Sequence, residues 1–170
     1  SIIICTYNGR QKLEETLLAI LQLNATFPWE LLVVDNASTD DTAAFSSSLL
    51  SKSTIDWRIL REEEPGLIKA RLCGLRASKY DVLLYCDDDN TLDENYLQIG
   101  YELLKQNSII GALGGCGTPI FEAEKPNWFD KYGHSFAVGP QAEKDGPMQE
   151  YPAELYGAGA FFRKKVLGKG

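Results

Sequence analysis

No apolar stretch in the 170 residues approaches the ~18 consecutive residues of a membrane-spanning helix. Nor is there a charged start followed by an apolar run, the mark of a secretory signal. Basic residues are in the minority, with 17 Lys and Arg against 24 Asp and Glu, for a net charge of -7. That balance argues against a broad nucleic-acid surface, which relies on clustered cations, and leaves room only for a local phosphate site. Histidine occurs once, as His134 beside Tyr132, Gly133 and Phe136, and reads as a loop residue rather than a ligand. The four cysteines, Cys5, Cys73, Cys86 and Cys116, form no C-x-x-C pair. Three lie in apolar, strand-like surroundings, so buried reduced thiols of a cytosolic protein are expected. There is no internal repeat and no low-complexity linker. A hydrophobic share of 44% and a charged share of 24% are those of an ordinary globular domain, neither a disordered tail nor a membrane span. The length suits one domain with a sizeable core. The chain opens directly on the strand-like Ser1 to Cys5 and stops in the basic Arg163 to Gly170, so it reads as a fragment.

The most informative stretch is Asp81 to Asp89, an apolar run ending in three carboxylates. Val82 to Cys86 lacks polar alternation, as expected of a strand covered on both faces. Asp87, Asp88 and Asp89 then fall at its carboxyl end, where open α/β sheets bind ligands. Three adjacent carboxylates repel one another, and a hard divalent ion that takes oxygen ligands from one or two carboxylates plus substrate phosphates meets that need. The plainer alternative is an acidic turn capping the segment from Thr91 onward.

Ser1 to Cys5 reads as a first strand, followed by the turn Thr6-Tyr7-Asn8-Gly9. Leu13, Leu17, Leu18 and Leu21 recur at helical spacing to about Leu23. A second strand, Glu30 to Val34, ends at Asp35-Asn36-Ala37-Ser38, and Ser38 with Asp41 resembles a cap for a helix over 39–51. Trp57 to Leu60 is a third strand, 62–66 a loop, and 67–77 the helix leading to the central strand. Beyond the carboxylates, 93–107 is helical in period and 109–113 strand-like. From Thr118 to Pro152 no period survives, and long irregular stretches of this kind are often binding loops. Gly157 to Leu167 restores order as a Gly-rich approach and a short strand. Strand and helix alternate four times before Asp89, which predicts an α/β fold: a mainly parallel central sheet flanked by helices.

Four separated pieces resemble one family, the inverting family 2 glycosyltransferases of the nucleotide-sugar-binding GT-A fold. They are Ile2-Ile3-Ile4-Cys5-Thr6-Tyr7-Asn8, Leu32-Val33-Val34-Asp35-Asn36-Ala37-Ser38-Thr39-Asp40, Gly66-Leu67-Ile68-Lys69-Ala70-Arg71-Leu72-Cys73-Gly74, and Leu84-Tyr85-Cys86-Asp87-Asp88-Asp89, similar to the family's D-x-D motif. A fifth, Gly157 to Lys165, resembles a later segment on the acceptor side. Leu72 stands where the family usually has Asn, and the acidic pair carrying the family's catalytic base is expected beyond Gly170.

The resemblance implies a single GT-A domain over 1–170, with 1–117 binding the nucleotide sugar and 118–170 beginning the acceptor side. It implies transfer of a sugar from a UDP- or GDP-sugar to a glycan, lipid-linked or protein acceptor, with Mn2+ or Mg2+ as cofactor. Asp89 is the first choice of metal ligand, supported by Asp87. Thr6, Tyr7, Asn8, Asp35, Asn36, Arg71, Asp87 and Asp88 are the expected donor-binding residues. Arg71 suits either a phosphate or a clustered carboxylate, because its fork binds two oxygens, while Lys69 lies on another helical face. Trp128 and Phe129 fit either sugar stacking or a local hydrophobic anchor. A cytoplasmic location, or a peripheral one at the inner membrane face, follows. Two other readings remain: a non-catalytic nucleotide-sugar-binding module, and a haloacid-dehalogenase-type phosphatase with Asp87 as nucleophile and Asp89 as general acid.

Overall fold

A computed structural model describes residues 1–121, 123–141, 146 and 155–168. Six strands form one sheet in the order β3-β2-β1-β4-β6-β5, with β1 at Ile2–Thr6, β2 at Glu30–Asn36, β3 at Asp56–Glu62, β4 at Val82–Asp87, β5 at Ala112–Leu113 and β6 at Ala160–Arg163. The first four run parallel, and β6 lies antiparallel between β4 and β5. Helices α1 (Leu13–Ile20), α2 (Thr42–Leu50), α3 (Leu67–Ala77), α4 (Tyr96–Gln106) and the short α5 (Phe129–Tyr132) connect them.

The unbroken apolar runs of β1, β2 and β4 are explained by burial on both faces. Ile2, Ile4, Leu31, Val33, Leu84 and Cys86 point to one face and pack with Leu13, Leu17 and Ile20 of α1, Leu50 of α2, and Leu97 and Leu104 of α4. Ile3, Leu32, Val34, Leu83 and Tyr85 point to the other, under Ala70 and Leu75 of α3. Helix α3 sits close because Gly74 has no side chain; a methyl there would stand 2.5 Å from Ile3 Cγ2. The chain therefore winds outward from β1 to β3 over one face, then returns beneath the other to place β4 on the far side of β1. At that reversal, outside the carboxyl ends of β1 and β4, open α/β sheets form their binding crevice.

Several boundaries differ from the sequence expectation. Helix α2 begins at Thr42 instead of Thr39, because Ser38 is drawn away to accept the Asn8 N–H at 2.9 Å and Asp40 takes the Thr42 N–H at 3.1 Å. Helix α1 ends at Ile20, and α4 starts at Tyr96 after Asp93 caps the Asn95 N–H. Strand β5 keeps only Ala112 and Leu113 of the expected 109–113, since Ile109 faces solvent. The irregular stretch holds α5 and a 3-10 turn at Gly133–Phe136, which contains His134, while 142–145 and 147–154 lie outside the described residues.

Candidate functional site

The loops after β1, β2 and β4 are bound to one another by side chains. Thr6, 3% exposed at the end of β1, donates its hydroxyl to Asp88 Oδ2 at 2.6 Å. Gly9 makes this approach possible: a methyl there would lie 2.0 Å from Thr6 Oγ1 and 2.8 Å from Asp88 Oδ2. Asn8, held at φ 49, a left-handed conformation that Asn tolerates better than most residues, accepts the Thr39 N–H through Oδ1 at 2.8 Å. Behind these contacts, Asp35 is 2% exposed and both its oxygens are engaged, Oδ1 by the Ser38 N–H at 3.0 Å and Oδ2 by Arg61 Nη1 at 2.6 Å. Asn36 is equally committed, donating to the Glu62 and Glu64 carbonyls and accepting from the Gly66 N–H at 2.8 Å.

The three carboxylates diverge. Asp87, its side chain 44% exposed, faces Arg71 Nη2 at 3.6 Å. Burial pushes the Asp87 carboxyl above its ordinary range, Arg71 pulls it back, and Asp89 and Asp88 add repulsion. Asp88 is tied to Thr6, and Asp89 points to solvent with its side chain 58% exposed and Lys12 Nζ 4.0 Å away. Among the described residues no three His, Cys, Asp or Glu side chains stand together as a metal cage. Repulsion between these neighbours is relieved by separate partners: Arg71 for Asp87, Thr6 for Asp88 and Lys12 for Asp89. Asp89 and Asp87 fit a hard cation of the kind held by one or two carboxylates and completed by phosphate oxygens, while Asp88 Oδ2 accepts the Thr6 hydroxyl.

Tyr7, 60% exposed, and Arg71 line the open side. The Gly-rich approach to β6 reaches the same place, since a methyl on Gly157 would meet Arg71 Nη2 at 2.9 Å and Tyr96 donates its hydroxyl to the Gly159 carbonyl at 2.5 Å. A cavity of about 530 Å³ lies elsewhere, toward the amino end of β4, lined by residues including Phe27, Trp29, Tyr101 and Phe161. Thus the structure brings Thr6, Tyr7, Asn8, Arg71, Asp87, Asp88 and Asp89 to one end of the sheet, with Asp35 and Asn36 behind them. Lys69 turns away to Glu64 at 3.0 Å. Two participants had no sequence signal of their own, Arg61 and Lys12, while Ser38 and Thr39, read from sequence as a helix cap and part of a resembling segment, stitch the loops.

Chemistry by cysteine is disfavoured beside the cluster, because burial raises the Cys5 and Cys86 thiols to about 12. All four cysteines are free, with Cys86 buried, Cys5 and Cys73 partly buried and Cys116 exposed, so the expected burial is complete only at Cys86. Trp128 and Phe129 pack with Phe121 and Phe136 in a local aromatic cluster. Arg163 donates to the Leu104, Asn107 and Ile110 carbonyls and Lys164 to Ser78, so two of the three residues in the basic run Arg163-Lys164-Lys165 are engaged internally.

Residues 1–170 match the family described as Glycosyl transferase family 2. The chain belongs to that family. Its phosphatase alternative falls with that match. Among curated relatives, this family 2 chain is 29% identical over 135 residues to the poly(ribitol-phosphate) beta-N-acetylglucosaminyltransferase TarP of Staphylococcus aureus strain N315, covering 75% of the chain and 41% of that protein. The chain spans about half or less of the length of the curated relatives it matches. Among solved structures, S. aureus TarS 1-349 in complex with UDP superposes with a TM-score of 0.72 at 17% identity, covering 98% of this chain and 47% of that one. The mannosyltransferase PcManGT of Pyrobaculum calidifontis, in complex with GDP-Man and Mn2+, superposes with a TM-score of 0.71 at 21% identity over 98% and 44%. At those identities the superpositions establish the GT-A fold. No helix among the described residues is long and apolar enough to cross a membrane.

Proposed function

We propose that this chain is the donor-binding part of a glycosyltransferase that moves a sugar from a nucleotide-diphospho-sugar to an acceptor hydroxyl, with inversion and with a divalent metal. The observation carrying the proposal is the convergence of the bound β1, β2 and β4 loops at the winding reversal, with Tyr7, Arg71, Asp87 and Asp89 left open beside them. The solved relatives binding UDP, or GDP-Man with Mn2+, support the same reading of the donor.

In this reading Tyr7 and Asn8 lie under the nucleotide and Arg71 faces the diphosphate. The acceptor oxygen attacks the anomeric carbon from the face opposite the diphosphate, and the bond between that carbon and the diphosphate oxygen breaks. The hydroxyl proton passes to a general base. Extra negative charge then rests on the leaving diphosphate, and Arg71, released from Asp87, supplies two donors to it. A divalent cation held by Asp89 and Asp87, when bound, supplies Lewis-acid stabilisation of that charge.

Calorimetric titration with UDP and with GDP, each with and without Mn2+, tests the donor site. One nucleotide is expected to bind only with metal, and Asp89→Ala is expected to abolish that binding while circular dichroism stays unchanged. Equal binding by Asp89→Ala would overturn the metal assignment; a folded chain that binds neither nucleotide would overturn the donor reading. Donor binding without transfer by the complete protein would leave a binding module instead of an enzyme.

A further inference from the structure

Where the chain leaves the sheet after β5 and returns to it before β6, two side chains tie the departing and returning stretches together. Tyr96, at the start of α4, donates its hydroxyl to the Gly159 carbonyl at 2.5 Å on the returning side. On the departing side the same hydroxyl lies against Gly115, where a methyl would stand 2.4 Å from it. Gly159 holds φ at 73, a left-handed value suited to glycine, and a methyl there would stand 3.1 Å from the same oxygen. Burial raises the hydroxyl to about 12, so it keeps its proton at neutral pH and serves as a donor. Gln141 makes the second tie, donating Nε2 to the Gly115 carbonyl and accepting the Tyr156 N–H at 2.7 Å. Two residues before Gly159, Gly157 comes so close to Arg71 that a methyl would stand 2.9 Å from Nη2. The guanidinium therefore lies between the Gly157 backbone, the Tyr85 ring at 5.4 Å and Asp87 at 3.6 Å.

We propose that Tyr96 is a positioning residue for the diphosphate end of the donor site: its hydroxyl holds 157–159 against Arg71 and so keeps the guanidinium aimed at the leaving phosphates. The inference rests on the donor-site reading above. An arginine side chain has many rotamers, and a wall of backbone removes those that point away before the ligand arrives. When the wall shifts, the competent arrangement is populated only in part, and affinity falls by that fraction. The Tyr96 ring has a separate task, since it stacks at 5.5 Å on the buried Phe161, so the hydroxyl can be removed while the packing stays.

The test compares the parent, Tyr96→Phe, Tyr96→4-aminophenylalanine, Arg71→Lys and the Tyr96→Phe/Arg71→Lys double variant. Affinities for UDP and GDP with Mn2+ are measured by calorimetry. The Arg71 Nε–H is followed by NMR without ligand, its signal assigned by its loss in Arg71→Lys. Tyr96→Phe is expected to remain folded and to lose about three- to tenfold in affinity for the nucleotide that the parent binds, the scale of one ordinary hydrogen bond. Its Arg71 signal is expected to move toward that of a solvent-exposed arginine. Tyr96→4-aminophenylalanine, which keeps a donor at the same ring position, is expected to restore both. In the Arg71→Lys background Tyr96→Phe is expected to cost little more, because the group it positions is gone. Unchanged affinity or an unchanged Arg71 signal in Tyr96→Phe would overturn the inference alone. So would the full loss repeated in the Arg71→Lys background, which marks general damage. If the parent binds neither nucleotide while Tyr96→Phe still displaces the Arg71 signal, the donor reading falls and the link between Tyr96 and Arg71 stands.

Discussion

Replacing Thr6 by valine removes one hydroxyl while keeping the shape of a side chain that is almost wholly buried. What is lost is the 2.6 Å hydrogen bond to Asp88 that joins the end of β1 to the end of β4. A hydrogen bond to a charged group contributes about 1.5–3 kcal/mol, and water reaching the half-buried Asp88 recovers part of it, so the net cost is about 1–2 kcal/mol. For a domain of this size that lowers the melting temperature by about 2–8 °C. Urea unfolding followed by tryptophan fluorescence measures the cost directly, with Thr6→Ser as the control that keeps the hydroxyl. The decisive comparison repeats Thr6→Val in an Asp88→Ala background, where the valine is expected to cost far less because the acceptor is already gone. An undiminished cost there would place the effect in core packing and refute the bond between the loops; so would Thr6→Val as stable as the parent.

In α4, Gly100→Ala gains about 0.5–1 kcal/mol of helix preference but sets a methyl 2.3 Å from two ring atoms of Phe161, which is buried and stacked on Tyr96 at 5.5 Å. Overpacking of that kind costs about 1–3 kcal/mol, so denaturant unfolding is expected to show net destabilisation, relieved in part by Phe161→Leu. Glu30, fully buried at the start of β2, is pushed up by burial but held below its ordinary 4.5 by hydrogen bonds from the Lys79 N–H, the Ser1 hydroxyl and Arg58. Because the folded value is the lower one, its contribution is present above about pH 4.5 and is lost as pH falls through the folded value. Urea midpoints measured from pH 7 down to 3 are therefore expected to fall less steeply for Glu30→Gln, and an unchanged slope would contradict this assignment.

Strands β1, β2 and β4 were legible because burial on both faces leaves an apolar run that no other element needs. The alternation with helices gave the sheet's parallel character, and the four resembling segments pointed to one end of it as the candidate site. What stayed hidden depends on partners distant in sequence. Asp87, Asp88 and Asp89 are adjacent in the chain, but Arg71 on α3 and Thr6 on β1 decide where the first two point. Arg61, which donates to Asp35, is found only once the register sets the two across from each other. Ser38 fits a helix cap by spacing alone, yet the β1 turn claims its hydroxyl first. Ile109 and Ile110 suggest a strand, but only Ala112 and Leu113 find a ladder partner in β6.

That pairing of β5 with β6 has a bearing on how proteins of this shape diversify. Leu113 and Phe161 sit side by side across the two strands, so the chain leaves the sheet after Leu113 and rejoins it at Ala160, close to where it left. The entropic cost of closing such an excursion grows only with the logarithm of its length, roughly 0.6 kcal/mol for each doubling. A segment spliced in or rewritten between those two anchors leaves the register of β4, and with it Asp87 to Asp89, where it was. The donor end can thus stay fixed through descent while the stretch beside it is exchanged as a cassette.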